Sequence, residues 1–302
     1  MLSNRQIGIL WVLLAALGYA FLPIFTRFIY QFSDLQPTDV ALWRFIFATP
    51  AIWLIVYINR NSKRQQNLKP DEPKQVLRMF ALGLLYATSA LTVFFGLQYI
   101  EASLYIIIFY TYPAMVAIIN VFLGEKLRPI AWLALALTLT GVILTVPDLS
   151  LAGDDVILGL GIALLNALSV AVYFVIVSRE MPKVSSVMRG TAYVITGTLI
   201  VLLFTLPFFG LQLPPTPLVF AMLLGMGTLS TAMPIFVINL GIERIGVTQA
   251  SIIITIEPLM TLVLAVSLLG EIILPVQWLG AAFIIAGVII LEIRPKEKRV
   301  PA

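Results

Sequence analysis

Ten stretches of about 20 apolar residues follow one another along the sequence, separated by short segments that contain charged residues, proline and glycine. A helix of about 20 apolar residues crosses the hydrocarbon core of a bilayer, which is about 30 Å thick. A helix also pairs its own backbone polar groups, as a lipid-surrounded span must. The sequence therefore predicts an all-α integral membrane protein with ten transmembrane helices. The predicted spans are 7–29, 39–58, 79–98, 102–123, 129–146, 156–178, 188–209, 218–241, 248–269 and 275–293.

The composition excludes several classes of function. Charged residues make up 11% of the 302 residues and hydrophobic residues 60%, whereas about 25% of a typical soluble domain is charged. The chain has no Cys and no His, so the usual ligands of zinc, haem and iron–sulfur sites are missing, as are Ser-His-Asp and Cys-His catalysis. We predict no metal and no cofactor. No Gly-x-x-x-x-Gly-Lys-Ser/Thr motif occurs, so ATP-driven activity of this chain alone is unsupported.

The Lys and Arg residues are distributed unequally between the two sides of the predicted spans. Seventeen of the 19 lie in loops on the side of the N-terminus, and the loops on the other side carry only acidic charges. The positive-inside rule places the basic side in the cytoplasm. We therefore expect a multi-pass protein of the plasma membrane, the inner membrane of a bacterium, with both termini cytoplasmic. Basic residues spread over short loops do not predict nucleic-acid binding.

The two halves of the sequence resemble each other. Gly96 reappears as Gly241, and Pro113 reappears as Pro258, each 145 residues further on. Each half contains five spans, an odd number, so the second half crosses the bilayer in the opposite direction. Inverted repeats recur in secondary transporters, where they surround a site near the bilayer midplane. The predicted units are a first repeat at 7–146, an extracytoplasmic connector at 147–155, a second repeat at 156–293 and a basic cytoplasmic tail at 294–302.

Two copies of one motif carry a family resemblance. In each half, a span ends in Leu-Gly-Glu, at 123–125 and 269–271, and the next helix ends in Gly-Val-Ile. With Ile256-Glu257-Pro258 in span 9, the chain resembles the EamA family of the drug/metabolite transporter superfamily over nearly its whole length. The resemblance implies a ten-helix carrier with a central cavity lined chiefly by spans 1, 3, 4, 6, 8 and 9. It also implies a role in the efflux of metabolites or amino acids.

One spacing departs from that family pattern, in which the two halves usually match. Pro113 and Gly124 are 11 residues apart, whereas Pro258 and Gly270 are 12 apart. We therefore expect the second half of span 4 to be rotated or locally rewound.

Glu257 is the only acidic residue deep inside a predicted span. An ionised carboxylate in hydrocarbon is costly, so this side chain is expected to face the protein interior or water. One interpretation is a substrate contact or a proton-coupling group. The other is a packed carboxyl that accepts hydrogen bonds beside the kink at Pro258. Tyr112 occupies the equivalent position in the first repeat.

Further candidate binding residues lie in spans 4, 6 and 1. Tyr105, Phe109 and Tyr112 form one helical stripe in span 4, which fits either a substrate platform or ordinary packing. Asn166, Ser169 and Tyr173 form a polar row in span 6, which fits either cavity lining or contacts between helices. Trp11 and Tyr19 form a weaker row in span 1, where Trp11 also fits an interfacial anchor. Pro113 and Pro258 each remove a backbone hydrogen bond and are hinge candidates.

Two arginines lie within or at the ends of spans. Arg44 is about five residues inside span 2, and Arg27 is near the outer end of span 1. We expect both side chains to reach the lipid headgroups. The alternative is an anion-attracting or gate-forming group that pairs with Asp34, Asp39 or a substrate carboxylate.

The pattern as a whole predicts a secondary transporter that exports small metabolites such as amino acids by alternating access around a midplane cavity. Its partners would be a small-molecule substrate and the lipid bilayer, with or without protons. The alternatives are an uncoupled facilitator, a non-transport membrane protein, an intramembrane enzyme and a channel. The last two lack the catalytic constellations and the polar pore rings that they need. Substrate identity and oligomeric state are left open.

Overall fold

The computed structural model describes residues 3–59, 70–124, 129–145 and 153–292, and it is helical throughout this part with no β-strand. Glu125, most of the predicted connector and the basic tail lie outside the described residues. The main helices are α1 (Asn4–Phe32), α2 (Pro37–Asn59), α3 (Pro73–Tyr99), α4a (Ala102–Phe109), α4b (Tyr112–Phe122), α5 (Pro129–Thr145), α6 (Asp154–Glu180), α7 (Val187–Leu203), α8a (Pro217–Gly227), α8b (Met233–Ile245), α9a (Val247–Ile254), α9b (Glu257–Leu264) and α10 (Pro275–Glu292). Shorter elements are a 3₁₀ turn (Met181–Lys183), a helical turn (Leu206–Phe209) and two π-helical turns (Thr228–Ala232 and Ala265–Leu269).

The helices have the length and apolarity of membrane spans. In the described part, seven segments are long and apolar enough to cross a bilayer, and they correspond to α1, α2, α3, α4, α6, α7 and α8. Shorter apolar helices occur within α5, α9 and α10. Large apolar side chains such as Phe122, Ile143 and Phe208 are mostly exposed on the surface, as lipid-facing side chains would be. The chain is therefore an integral membrane protein of the all-α class.

Local sequence signals explain where many helices begin. Ser3 and Gln6 form a reciprocal capping box, with N···O distances of 2.8 and 3.2 Å, at the start of α1. Proline is favoured in the first turn because its missing N–H would have no partner there. The helices that begin with proline are α2, α3, α5, α8a and α10.

The helices pack through small residues. The most extensive pairs are α5 with α10, α3 with α6, α3 with α7, and α1 with α8b. At the crossing of α3 and α7, a Cβ atom built on Gly83 would lie 2.4 Å from the backbone of Gly197. Glycine is required at this crossing because only the missing side chains let the two backbones approach so closely.

Helices α4 and α9 are both interrupted near their middle. In each case the second piece has a proline at its second position, Pro113 in α4b and Pro258 in α9b. In α4, the first piece ends in a turn, where the amide of Tyr110 donates to the carbonyl of Ile106 at 3.1 Å. The interruptions coincide with the two predicted hinge positions, whose role as hinges stays a prediction.

The unequal proline–glycine spacing has a different origin from the one expected. The described part of span 4 after Pro113 is an ordinary α-helix, whereas span 9 ends in the π-helical turn Ala265–Leu269. There the amide of Gly270 donates to the carbonyl of Ala265, five residues earlier. A π-helical turn accommodates one extra residue within a helix. The expectation of a rewound span 4 is therefore wrong, and the irregularity lies in span 9.

Candidate functional site

The two interrupted helices meet at a partly buried hydrogen bond. The Tyr110 hydroxyl, at the end of α4a, donates to Glu257 Oε2 at 2.8 Å, and Glu257 is the first residue of α9b. Tyr110 is 3% exposed, and Glu257 is partly buried. The carboxylate therefore lies inside the protein at the place where both helices lose their regular backbone pairing.

Tyr110, which sequence reasoning missed, takes the place expected for Tyr112. The rings of Tyr110 and Tyr112 lie 5.9 Å apart across the interruption of α4, and the described hydrogen bond to Glu257 comes from Tyr110. The Tyr112 ring instead stacks on Phe174 of α6, with centroids 5.4 Å apart, and lies 5.2 Å from Phe109. Pro113 was the available signal, because a proline interrupts the regular helical arrangement of the residues before it.

Three further tyrosines lie near one another, and one of them, Tyr19, lies near the carboxylate. The rings of Tyr86 in α3 and Tyr173 in α6 lie 5.2 Å apart. Tyr19 of α1 is within electrostatic range of both rings, of Glu257 and of Arg44. Tyr86 was absent from the sequence-based candidates because no spacing pattern singled it out. We call this group the central cluster: Tyr19, Arg44, Tyr86, Tyr110, Tyr173 and Glu257.

Arg44 points into the protein. Its side chain is 5% exposed, and its Nε donates to Thr231 Oγ1 of α8 at 2.9 Å. The guanidinium carbon lies 5.1 Å from the ring centre of Phe45 and 5.8 Å from that of Phe94, distances typical of cation–π contacts. The expectation that Arg44 reaches the headgroups is therefore wrong, because the face of α2 that carries Arg44 packs against α3 and α8.

Two of the other charged residues considered with Arg44, namely Arg27 and Asp39, have structural partners. Arg27 Nη1 donates to the carbonyl of Leu97 at 3.1 Å, near the end of α3. The Asp39 carboxylate accepts the amide of Gln36 at 2.9 Å and that of Gln212 at 3.0 Å. Asp39 thus joins the α1–α2 turn to the segment before α8, and its described contacts do not form a gate with Arg44.

A second polar group joins α3, α4a and α6. The Ser89 hydroxyl donates to Asn166 Oδ1 at 2.7 Å, and Asn166 Nδ2 donates in turn to the Tyr105 hydroxyl. Ser89, Asn166 and Tyr105 are all buried. This chain of hydrogen bonds favours the interpretation of Asn166 and Tyr105 as contacts between helices.

Two predicted residues join neither group through a described hydrogen bond. The Ser169 hydroxyl donates to the carbonyl of Leu165 in its own helix at 2.8 Å. The indole N–H of Trp11 is buried and has no acceptor within the described ranges. Neither observation assigns a binding role to Ser169 or Trp11.

Asp71 links the segment before α3 to the α6–α7 connection. Its carboxylate accepts the Ser185 amide at 2.7 Å, the Ser185 hydroxyl at 2.6 Å and the Tyr193 hydroxyl at 3.2 Å, and it pairs with Arg189 Nε at 3.6 Å. Burial by itself would raise the pKa of Asp71. The hydrogen bonds from Ser185, the Arg189 charge and Tyr193 outweigh burial and hold this pKa below its ordinary value.

We expect Asp71→Asn to lower the free energy of unfolding by about 1–3 kcal/mol at neutral pH, because it weakens several charge-assisted hydrogen bonds. Since the pKa of Asp71 is lowered in the folded protein, its stabilising effect is present above the ordinary carboxyl pKa. This effect is lost as the pH falls through the lowered pKa. Thermal unfolding of purified protein at several pH values measures the difference. The exposed neighbour Glu72 offers a control, and equal melting temperatures for Asp71→Asn and Glu72→Gln would contradict the prediction.

The opposite end of the bundle contains a carboxylate that caps α4a. Glu271 accepts the amides of Ala102 and Ser103, each at 2.9 Å, at the positive end of the helix dipole. Burial and the negative charge of Glu271 raise the pKa of neighbouring Glu101, although Arg27 opposes the shift. The Leu-Gly-Glu motif of the second half therefore fixes the start of α4.

Comparison with a protein-family model gives a match across the chain. The model, described as the EamA-like transporter family, matches residues 6–146 and 157–293. These two stretches together cover most of the 302 residues.

Similar proteins occur in distant organisms. One from Archaeoglobus fulgidus is 28% identical over 201 residues, which are 65% of this chain and 68% of that protein. Another, from Synechocystis sp., is 25% identical and covers 96% of this chain and 95% of its own length. Both are named as uncharacterized transporters.

A solved crystal structure has a similar fold. It is 18% identical in sequence, covers 95% of this chain and 96% of its own, and superposes with a TM-score of 0.64. At this level of identity the likeness concerns the arrangement of helices alone.

Proposed function

Because the chain belongs to the EamA-like transporter family, we propose that it is a secondary transporter that exports small metabolites, such as amino acids, by alternating access around the central cluster. The observation that carries this proposal is the position of Glu257 where two interrupted helices meet. In transporters built from inverted repeats, substrate and coupling-ion sites typically lie between such discontinuous helices. Family membership also argues against an enzyme.

The packing of glycines supports a ten-helix architecture of two inverted repeats. A Cβ atom on Gly141 of α5 would lie 2.6 Å from the carbonyl oxygen of Gly280 in α10. A Cβ atom on Gly287 of α10 would lie 2.7 Å from that of Ala134 in α5. Gly141 and Ala134 of the first half are equivalent to Gly287 and Gly280 of the second half, 146 positions further on. Replacing each residue by its equivalent therefore turns the first contact into the second, as a two-fold relation between the halves requires.

Other contacts support the sidedness proposed from the loop charges. At one end, Gly8 packs against Arg244, and Asp71 binds Ser185. At the other end, Asp39 binds Gln212. Loops predicted to be cytoplasmic therefore contact one another, which favours both termini in the cytoplasm and insertion in the plasma membrane.

Glu257 is the proposed coupling group. Its carboxylate can exchange a proton when the site opens to one side, and Tyr110 holds it at the contact between α4a and α9b. A substrate that displaces this proton would leave the cell as a proton enters. The second candidate function is an uncoupled facilitator for the same substrates, in which Glu257 only binds.

The test is transport by the purified chain in liposomes loaded with a mixture of radiolabelled amino acids and containing a pH-sensitive dye. We expect amino acids to leave only liposomes that contain the protein, and we expect an inward proton gradient to accelerate their loss several-fold. Amino-acid loss without any response to the proton gradient would favour the facilitator. If neither amino acids nor other metabolites cross in protein-containing liposomes, the proposed function is wrong.

A further inference from the structure

We propose that Arg44 is the anion-binding residue of the central cluster and that the substrates accordingly carry a carboxylate. The inference rests on the proposed function, since it assigns a substrate class to the same site. It begins from a positive charge that the described part of the protein does not neutralise with a carboxylate.

The charge of Arg44 is buried and permanent. A guanidinium is not deprotonated in proteins, and a charge within a membrane span is costly unless it is paired. Of the carboxylates whose positions are described, none forms an ion pair with Arg44. Asp39 binds backbone amides, and Glu257 binds Tyr110. An anionic substrate would therefore supply the counter-charge that burial of Arg44 calls for.

The surroundings of Arg44 hold it in one orientation. Thr231 lies in the π-helical turn of α8, and its hydroxyl donates to the carbonyl of Met226 at 2.9 Å. The oxygen of this hydroxyl can then accept a hydrogen bond from the Nε–H of Arg44. Two aromatic rings, Phe45 and Phe94, pack against the guanidinium. A π-helical turn within a longer helix often marks a functional site, and here it positions the residue that orients Arg44.

The contact with Thr231 uses the Nε donor, and the Tyr86 hydroxyl is a second hydrogen-bond partner, so these two described partners leave further N–H donors of the guanidinium for other acceptors. The phenols of Tyr86 and Tyr19 are the polar groups within electrostatic range of the guanidinium. A planar guanidinium with two parallel N–H donors matches the two oxygens of a carboxylate. The geometry therefore favours a carboxylate over a neutral polar group.

Arg44 also lies between the two halves. Tyr86 of α3 and Thr231 of α8 are equivalent positions, 145 residues apart, and both face the guanidinium. A carboxylate bound there would respond to movement of one half against the other. Tyr19 is within electrostatic range of both Arg44 and Glu257, so the guanidinium and the carboxylate belong to the same cluster.

The experiment compares matched ligands on the purified protein by thermal unfolding, which does not depend on transport. The probes are L-leucine with L-leucinamide, and L-phenylalanine with L-phenylalaninamide, in buffer without chloride. We expect the amino acids to raise the melting temperature and the amides to bind about 10- to 100-fold more weakly, because each amide lacks the charged carboxylate. Equal shifts from acid and amide, or the same stabilisation by chloride alone, would overturn the inference.

Variants assign the effect to Arg44. Arg44→Gln should remove the difference between acid and amide, and Arg44→Lys should restore part of it. Arg27→Gln is the matched control, because Arg27 binds the Leu97 carbonyl, and it should bind as the wild type does. If Arg44→Gln does not fold, Thr231→Val provides a second test and should weaken carboxylate binding about 10-fold. A wild-type preference for acids in the Arg44 variants would overturn the assignment.

Transport measured beside binding separates the two proposals. If the protein moves amines or neutral metabolites across liposomes but shows no preference for carboxylates, the carboxylate inference fails and the proposed function stands. If no compound is transported and no compound raises the melting temperature, the proposed function itself fails.

Discussion

Glu257→Gln is expected to abolish the effect of a proton gradient on transport while leaving the protein folded. Glutamine has nearly the same volume as glutamate, and its carbonyl oxygen can still accept the Tyr110 hydroxyl that now lies 2.8 Å from Glu257 Oε2. It cannot take up or release a proton at physiological pH. In liposomes, we expect the acceleration by an inward proton gradient to disappear, because the glutamine at this position exchanges no proton. Exchange of internal for external substrate, which needs no net proton movement, should continue.

Two variants separate proton coupling from packing. Glu101→Gln changes a carboxylate outside the central cluster, at the start of α4a, and should keep the response to the proton gradient. Tyr110→Phe removes the hydroxyl that binds Glu257 but keeps the ring, so it should alter the rate of coupled transport without abolishing it. Unchanged proton movement in Glu257→Gln would rule out the coupling role and leave the carboxyl as a substrate contact or a packing group.

Features that depend on local sequence could be predicted. Apolar runs and their flanking prolines gave the helices to within a few residues at most ends, because each span must satisfy its own backbone in lipid. Pro113 and Pro258 indicated where α4 and α9 break. Glu257 was recognised as unusual because a carboxylate within an apolar run is costly wherever it points.

Features that depend on one helix facing another could not be predicted. The apolar run around Arg44 does not reveal that α2 turns the guanidinium toward Thr231 rather than toward lipid. Tyr110 and Tyr86 stand among equally plausible aromatic residues, and their contacts arise from the break in α4 and from the crossing of α3 and α6. The sequence showed that the spacing from Pro258 to Gly270 is one residue longer than the equivalent spacing in the first half. It did not show which of the two helices has the irregular backbone. The π-helical turn in span 9 is the observed choice.

Gly197→Leu is expected to prevent correct packing of α7 against α3. A Cβ atom on Gly197 would lie 2.3 Å from the carbonyl oxygen of Phe80, a backbone atom that can move only if the helices separate. Overpacking a close contact usually costs about 1–3 kcal/mol even for a few added methylenes, and here four carbons would enter a contact between two backbones. We expect little folded protein after detergent extraction. Gly197→Ala should fold with a lower melting temperature.

Gly161 is the matched control for this prediction. It also lies within a long apolar helix, but a Cβ atom at this position would have open space around it. Alanine there should be neutral or stabilise the helix by about 0.5–1 kcal/mol, since glycine is a poor helix former, and leucine should be tolerated on an exposed surface. Size-exclusion chromatography and thermal unfolding of the four variants measure the contrast. If Gly197→Leu were as monodisperse and as stable as Gly161→Leu, α3 and α7 could not cross at the separation described, and the close approach of Gly83 to Gly197 would be wrong.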